Sequence, residues 1–416
     1  MFKKKAVEAY RFLNSQRTSK YVVNMVFCFV ALLVFRIFND QILGDVLSIF
    51  LGFIISNLAL GFIQVVFRSF EDNAKVTDDT DMLVKLYKHD FLEKKISMNG
   101  TSATVAYKPV YSHKGANLTV VDSPLKKFEP DGFIFDNFET LFGAHRMSAK
   151  KNFDTVRLDD FKVENGEAKF FVSRSNYYYH LVTNRAIDYR LDDDLSLRTY
   201  YEYGPSLKSI ADSNMSNHIG VNALVYLKDG ELLLPRRNGS STISKNLVTS
   251  SIAIMLMLPP GNNITAEYLF KGTILEGLVS RTKMNEKWIK EDEIDIKFLG
   301  FGQNPYEGGK PQFYYSVHMK NIGRKEYISN LITEHKASQS VIDVDRNIYV
   351  AKTEDMRFDK NGYLVVPYYQ GSLKNGNYSE KQRKCVVGYE KSFLANLWHT
   401  GMYCESEEKN EEEVVL

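Results

Sequence analysis

Two apolar runs near the N-terminus constrain the fold of this chain more than any other feature. Residues 21–38 contain only Asn24 and Arg36 as strongly polar members, and about 18 residues is near the lower limit for a helix that crosses a bilayer. Residues 46–67, about 22 in number, extend roughly 33 Å as a helix, enough for the hydrocarbon core. The sequence therefore predicts an N-terminal hairpin of two transmembrane helices at residues 21–67.

The charges around these runs predict their orientation. Asp40 and Asp45 lie in the short turn between the runs, which has no basic residue, and Arg68 follows the second run. Basic residues also precede the first run, at Lys3, Lys4, Lys5, Arg11, Arg17 and Lys20. By the positive-inside rule both termini are predicted to be cytoplasmic, in a multi-pass protein of the cell inner (plasma) membrane. A cleaved signal peptide is the alternative, but the first run lacks a small-residue cleavage site.

Two faces of the helix predicted for the second run carry residues that favour packing against another helix. Ser48, Gly52 and Ser56 recur at every fourth residue, the small-residue spacing that permits close helix packing in lipid. Asn57 and Gln64 lie roughly opposite, and amides are costly when they face lipid. We therefore expect these five residues to mediate homo-oligomeric assembly within the lipid bilayer. Packing of one face on the first run of the same chain is the alternative.

The composition of the remaining chain is that of a globular protein. Hydrophobic residues make up 44% and charged residues 25% of the 416, with a formal net charge of +2, so the whole surface gives no case for a nucleic-acid polymer as partner. The three cysteines are Cys28, Cys385 and Cys404, without the spacing of a disulfide framework or of a metal site. No cofactor and no metal are predicted.

The sequence pattern divides the rest of the chain into segments. A predicted helix runs through Leu83 to Ile96 and ends at Asn99-Gly100, while residues 132–135 read as a strand and 163–167 as a hairpin turn. The predicted segments are a basic cytoplasmic lead-in (1–20), the hairpin (21–67), a linker and helix (68–100), a β-rich region (101–215), an α/β domain (216–400) and an acidic tail (401–416).

The order of elements after residue 216 carries a resemblance. Residues 218–226 and 231–237 read as two strands joined by the tight turn Lys228-Asp229-Gly230, residues 265–283 as a helix, and residues 294–301 and 308–318 as two further strands. This order, from Ser216 to Trp398, resembles that of Nudix domains. The resemblance implies a cytoplasmic α/β (α+β) Nudix-like domain with a mixed β-sheet flanked by helices, following the transmembrane hairpin.

The helix departs from the Nudix pattern at its catalytic positions. Nudix hydrolases place an Arg-Glu pair and a Glu-Glu pair on this helix to hold magnesium against a diphosphate. Here Lys271-Gly272 and Leu275-Glu276 occupy those positions, so one carboxylate remains. The resemblance therefore implies a pocket that binds a nucleotide without hydrolysing it, with no catalytic residue. A membrane-anchored Nudix hydrolase of nucleoside diphosphate derivatives, with carboxylates recruited from elsewhere, is the alternative.

Polar groups near the predicted pocket suit phosphate. Arginine offers a planar fork to phosphate oxygens and lysine a point charge, and loop hydroxyls and amides are donors. The candidate ligand-binding residues are Arg236, Arg237, Ser241, Lys245, Asn246, Ser250 and Tyr314. A solvated serine-rich loop and ordinary packing of the tyrosine are the alternatives.

The combination of two spans with a decayed Nudix box resembles a class of antiviral defense proteins. These are the two-transmembrane Nudix effectors of bacterial cyclic-oligonucleotide antiphage signalling (CBASS). The resemblance implies a cyclic di- or trinucleotide ligand, made by a cyclic-nucleotide synthase as functional partner. Binding would cause oligomerisation of the hairpins, disruption of the inner membrane and cell death, that is, abortive infection. A constitutive membrane scaffold is a further alternative.

Overall fold

The computed structural model describes residues 76–145, 151–192, 195–237, 246–334, 346–374 and 377–402, together with Gly52 and Ile55. The described residues of the two ranges 76–142 and 151–402 together form one compact unit. In the described part, the strands are β1 (Glu93–Met98), β2 (Thr101–Ala106), β3 (Lys108–Ser112), β4 (Asn117–Lys127), β5 (Asp154–Glu164), β6 (Glu167–Asn176), β7 (Arg190–Asp192), β8 (Leu195–Ser196), β9 (Gly220–Tyr226), β10 (Leu232–Arg237), β11 (Ile252–Met255), β12 (Ile294–Asn304), β13 (Lys310–Met319), β14 (Arg346–Ala351), β15 (Arg357–Phe358), β16 (Leu364–Lys374) and β17 (Asn377–Val387). The α-helices are α1 (Thr80–Leu86), α2 (Gly132–Asp136), α3 (Phe138–His145), α4 (Tyr177–Val182), α5 (Leu197–Tyr201), α6 (Thr273–Thr282), α7 (Arg324–Glu334) and α8 (Lys391–Thr400).

The structure corrects the prediction of a membrane-spanning hairpin. Among the described residues, no helix combines the length and the apolar character that crossing a bilayer requires. The longest α-helix of that part, α7, has 11 residues, which is about 16 Å against a hydrocarbon core of about 30 Å. This finding contradicts both the transmembrane part of the predicted fold class and the inner-membrane location.

The residues proposed for assembly in the membrane fall almost entirely outside the described part. Ser48, Ser56, Asn57 and Gln64 lie outside it, as does the rest of 21–38 and 46–67 apart from Gly52 and Ile55. Gly52 is helical and buried, whereas Ile55 is helical and 48% exposed. These two residues alone do not test the predicted assembly in the membrane.

A mixed sheet is built around β9. β9 pairs in parallel with β13 and antiparallel with β10 and β11, and all seven of its residues are buried. A parallel pair needs a long crossover connection, and α6 lies within the one between β9 and β13. The order in the ten-stranded sheet is β15-β16-β14-β10-β9-β13-β12-β3, with β17 on β16 and β11 on β9. Burial on both faces explains why this strand reads as a continuous apolar run.

The sheet separates two hydrophobic cores. The first core lies under α6 and under a second sheet with the order β4-β6-β5, and it contains Ile274, Leu278 and Phe170. The second core lies under α8 and the β1–β2 hairpin, and it contains Phe393 and Leu397. A smaller cluster includes residues of α2, α3 and α5. The sheet is therefore covered on both faces.

Two local predictions in the region before residue 216 are wrong, and one is confirmed. The predicted helix stops at Leu86, and Ile96 lies in β1, because Asn99 and Gly100 form the left-handed turn (φ 47° and 72°) of the β1–β2 hairpin. Residues 132–135 belong to α2, whose first turn is capped by the Asp131 carboxylate. The turn at 163–167 joins β5 to β6 as predicted, with Glu164 opposite Glu167.

The elements that carried the Nudix resemblance form where the pattern placed them. β9 and β10 lie within the two predicted strands, and β12 and β13 correspond to the two strands after the helix. Residues 265–283 contain a π-helical turn, Tyr268–Gly272, that continues directly into α6. The folded part is thus a mixed α/β sheet domain, whereas its relation to Nudix proteins stays a prediction.

Candidate functional site

Arg236 and Arg237 end β10 but lie on opposite faces of the sheet. Successive side chains of a strand alternate between faces. Leu233 belongs to the first core, on the face of α6, whereas Leu232 and Leu234 belong to the second. Arg237 therefore shares the face of α6, and Arg236 shares the face of the second core. The two adjacent arginines that the sequence singled out do not line one pocket together.

The contacts of Arg236 are with the protein itself. Its Nε atom donates a hydrogen bond to the Asn246 carbonyl oxygen at 2.9 Å, and its guanidinium contacts the Tyr349 hydroxyl. Asn246 has a positive φ of 62°, where the chain turns back toward β10. These contacts fasten the base of the loop between Arg237 and Asn246 to the sheet.

Arg237 lies at the start of this loop and forms an ion pair with Glu390. One of its Nη atoms is 3.3 Å from the Glu390 carboxylate, and Glu390 directly precedes α8. Charge-assisted N–H···O⁻ hydrogen bonds are typically 2.7–2.9 Å long, so this pair is loose. The backbone is held more firmly, since the Arg237 amide donates to Leu247 at 3.0 Å and its carbonyl accepts from Asn246 at 3.1 Å.

Arg281 is the most informative charged group near Arg237. It lies in the last turn of α6, and its Nε atom is buried without a hydrogen-bond partner. Burial lowers the pKa of the Arg281 guanidinium, and the positive charge of nearby Arg237 lowers this pKa further. Within the described residues, no carboxylate pairs with Arg281. The two guanidinium groups are therefore near enough to repel each other, and Glu390 pairs with Arg237.

An excess of positive charge in a partly buried position has a physical cost. A buried charge that lacks a partner loses its hydration without recovering an equivalent interaction. An anion placed between Arg237 and Arg281 would restore that interaction, and guanidinium forks match the geometry of phosphate and carboxylate oxygens. The arrangement is suited to binding an anionic ligand that carries phosphate or carboxylate oxygens.

Helix α6, which carries Arg281, has Glu276 as its one carboxylate. Lys271, at a position where Nudix hydrolases have arginine, is ion-paired with Glu291 at 3.1 Å. Glu276 is exposed, and Gly277 packs so closely on β11 that a Cβ there would lie 2.6 Å from Ile252 Cγ2. Across the described ranges, no group of three or more His, Cys, Asp or Glu residues is placed to hold a metal ion.

Of the other predicted ligand-binding residues, Ser250 and Tyr314 lie apart from the arginines. Ser241 and Lys245 lie outside the described residues. Ser250 is fully buried, and its hydroxyl accepts a hydrogen bond from Asn396 of α8 at 3.3 Å. Tyr314 is also fully buried; its ring stacks on His399 at 4.8 Å, and burial raises the pKa of its hydroxyl strongly. Both side chains belong to the interior beneath α8.

Sequence reasoning missed Arg281, although a signal for it exists. A basic residue in the last turn of a helix usually reads as a favourable interaction with the helix dipole. Ile274, Leu278 and Arg281, however, follow the i, i+4, i+7 spacing of one helix face, and the first two are core residues. An arginine on the apolar face of a helix is the pattern that identifies this residue.

Comparison with known proteins adds no identification. No protein-family model matches the chain, and no curated protein matches it. The assignment of the site therefore rests on the geometry of Arg237, Arg281 and Glu390.

Proposed function

We propose that this protein is a ligand sensor whose Nudix-like domain binds a cyclic di- or trinucleotide without hydrolysing it. The observation that carries the proposal is Arg281, a partly buried guanidinium without a carboxylate partner in the described residues, placed beside Arg237. A ligand with two or more phosphodiester groups can offer an anionic oxygen to each arginine. Binding of this kind uses the positive charge of Arg281, which no carboxylate of the described residues balances.

The chemistry of the helix supports binding rather than turnover. Hydrolysis of a diphosphate in the Nudix manner needs several carboxylates around magnesium. Lys271 is engaged by Glu291, and Glu276 is the one carboxylate left at the positions that the resemblance compares. A phosphodiester held by guanidinium groups alone would be bound and released intact.

Glu390 provides a way in which ligand binding could be sensed. Its carboxylate contacts Arg237 through a loose ion pair and directly precedes α8, which covers the second core. A phosphate that takes over Arg237 would weaken this contact at the start of α8. In antiphage signalling, the setting that the resemblance implies, the ligand would come from a cyclic-nucleotide synthase.

The experiment is calorimetric titration of the full chain with a panel of cyclic di- and trinucleotides. We expect one or more members to bind, and Arg281→Gln and Arg237→Gln each to weaken binding by about 1.5–3 kcal/mol, the usual contribution of a hydrogen bond to a charged group. Lys287→Gln is the matched control, because Lys287 is an exposed base just after the same helix. Its affinity should equal that of the wild type.

Three results would overturn the proposal. Absence of binding across the panel would favour a scaffold without a ligand. Unchanged affinity in Arg281→Gln would remove this residue from the site. Magnesium-dependent release of phosphate or nucleoside monophosphate from nucleoside diphosphate derivatives would identify a hydrolase instead.

A further inference from the structure

A cavity separate from Arg237 and Arg281 lies where β15, β16 and β17 meet the tip of the β1–β2 hairpin. It has a volume of about 660 Å³, within the range of small-molecule sites. The Asn99 amide closes one side, since its Nδ2 atom donates to the carbonyl oxygens of Glu354 and Met356 at 2.7 Å each. The residues that line it are Asn99, Asp355, Arg357, Pro367, Gln382, Arg383 and Lys384.

Positive charge dominates this lining. Arg357, Arg383 and Lys384 contribute three cations, and within the described residues none of them forms an ion pair. Arg383 donates to a neutral group, the Gln370 side-chain oxygen, at 2.8 Å. The carboxylate in the lining, that of Asp355, is already paired with Lys352 at 2.8 Å. The lining thus has one carboxylate against three cations, and the consecutive residues Arg383 and Lys384 approach the cavity from opposite faces of β17.

The cations come from separate segments that the sheet holds in register. Val365 of β16 pairs with Arg357 of β15, and Pro367 pairs with Lys384 of β17. The β1–β2 hairpin is fixed to β15 by the Phe358 amide, which donates to the Thr101 hydroxyl at 2.8 Å. The paired strands thus bring Arg357 to the same cavity as the basic side chains of β17, although these residues are about 25 positions apart in the chain.

We propose that this cavity binds a compact polyphosphate anion. The Arg357 guanidinium and the Lys384 ammonium group lie on one face of the sheet, because their partners Val365 and Pro367 are two residues apart in β16. Together they suit adjacent phosphate groups, by a forked and a point-charge contact respectively. The lining described above contains no aromatic side chain, so it offers no surface on which a nucleobase stacks. This site would therefore recognise the charge of the anion and not a nucleobase.

The exposure of the cations predicts how the site behaves. Arg357, Arg383 and Lys384 are exposed, so their attraction for an anion is screened by salt. We therefore expect binding that weakens steeply as the ionic strength rises.

The test is a calorimetric titration of the full chain with sodium tripolyphosphate at low and at high salt. Wild type should bind at low salt, and the double change Arg357→Gln with Lys384→Gln should weaken binding at least about tenfold, because two charge-assisted contacts are lost. Lys381→Gln is the matched control, because Lys381 is an exposed base of the same strand that does not line the cavity. It should bind as wild type does. Thermal unfolding of each variant checks that the fold is intact.

Other outcomes separate this site from the first one. If Arg281→Gln abolishes tripolyphosphate binding while the double variant leaves it unchanged, the anion occupies the first site and this inference is overturned. If a single-stranded oligonucleotide binds through Arg357 and Lys384 more tightly than tripolyphosphate, the ligand class is wrong. Failure of cyclic nucleotides to bind, with tripolyphosphate binding retained, would overturn the proposed function alone.

Discussion

Buried arginines occur in two kinds of surroundings in this molecule, and the difference between them identifies the candidate site. Most are tied to a carboxylate by short contacts. These structural pairs are Arg157 with Asp159, Arg174 with Asp122 at 2.6 Å, Arg185 with Glu307 at 2.7 Å, and Arg198 with Asp188 at 2.5 Å. Arg281 has no such partner in the described residues, and Arg237 has a loose one at 3.3 Å. Among the described residues, Arg281 is therefore the arginine of this group without a carboxylate partner.

The cluster around Glu307 shows what full compensation involves. Glu307 accepts hydrogen bonds from Arg185 and Lys310, at 2.7 and 3.1 Å. Burial alone would raise the pKa of its carboxyl, but the two cations outweigh burial and lower that pKa to about 2. Charge, geometry and burial agree within this cluster. Arg281, in contrast, is partly buried and has no carboxylate partner among the described residues. Such a charge is typical of a site that receives its counter-charge from a ligand.

The largest effect should come from breaking the compensated cluster. Glu307→Gln leaves Arg185 and Lys310 buried without their carboxylate, and loss of one partner of a buried pair typically costs 3–5 kcal/mol. We expect the free energy of unfolding, measured by urea denaturation at pH 7, to fall by about that amount. Glu276→Gln, at an exposed position, is the control and should change it by less than about 0.5 kcal/mol. A similar small change in Glu307→Gln would contradict the cluster's role.

Acid should reduce the stabilisation that the Glu307 carboxylate provides. The folded-state pKa of Glu307, about 2, lies below the ordinary value of 4.5. Its stabilising contribution is therefore fully present above the unfolded-state pKa and is lost as the pH falls through the folded-state pKa, between about pH 5 and pH 2. The full contribution is about 3 kcal/mol, so the stability gap between wild type and Glu307→Gln should narrow from pH 7 to pH 3. A gap independent of pH would show that this carboxylate is not the source.

The smallest effect is expected at Arg281 in the absence of ligand. Arg281→Gln removes a partly buried charge that no carboxylate of the described ranges pairs with, so the free energy of unfolding should stay within about 1 kcal/mol of wild type or rise. Arg174→Gln is the matched comparison, because it removes an arginine with two hydrogen bonds to Asp122, at 2.6 and 2.9 Å. It should be destabilising by about 3 kcal/mol. Equal losses of unfolding free energy in the two variants would contradict the distinction between arginines with and without a carboxylate partner.

Strand patterns were sufficient to predict much of the central sheet. β9, β10, β12 and β13 fall within or beside the predicted strands, because their apolar runs and the turn at Lys228 to Gly230 encode pairing locally. The prediction of a helix over Leu83 to Ile96 is wrong because an Asn-Gly pair can either end a helix or form the turn of a β-hairpin. Here Asn99-Gly100 forms the hairpin turn. The transmembrane prediction rested on the length and hydropathy of two apolar runs and on the charges around them, and it is contradicted because no described helix is long and apolar enough to cross a membrane.

The candidate site was predictable only in part, because it depends on contacts between distant segments. Arg237 was recognised from its place at a strand end. Tyr314 and Ser250 looked accessible in the sequence, but α8, more than 70 residues further on, buries both. Arg281 was missed because its meaning depends on the absence of a carboxylate nearby in space, which no local pattern reports.

The most direct test of this account is the unfolding free energy of wild type and Arg281→Gln, with and without a cyclic nucleotide that the wild type binds. Without ligand the two proteins should be nearly equally stable. With ligand at 100 times the wild-type dissociation constant, wild type should gain about 2.7 kcal/mol. Arg281→Gln should gain clearly less at the same concentration, because its weaker affinity leaves the site partly empty. Equal gains in the two proteins would contradict the claim that a ligand anion compensates Arg281.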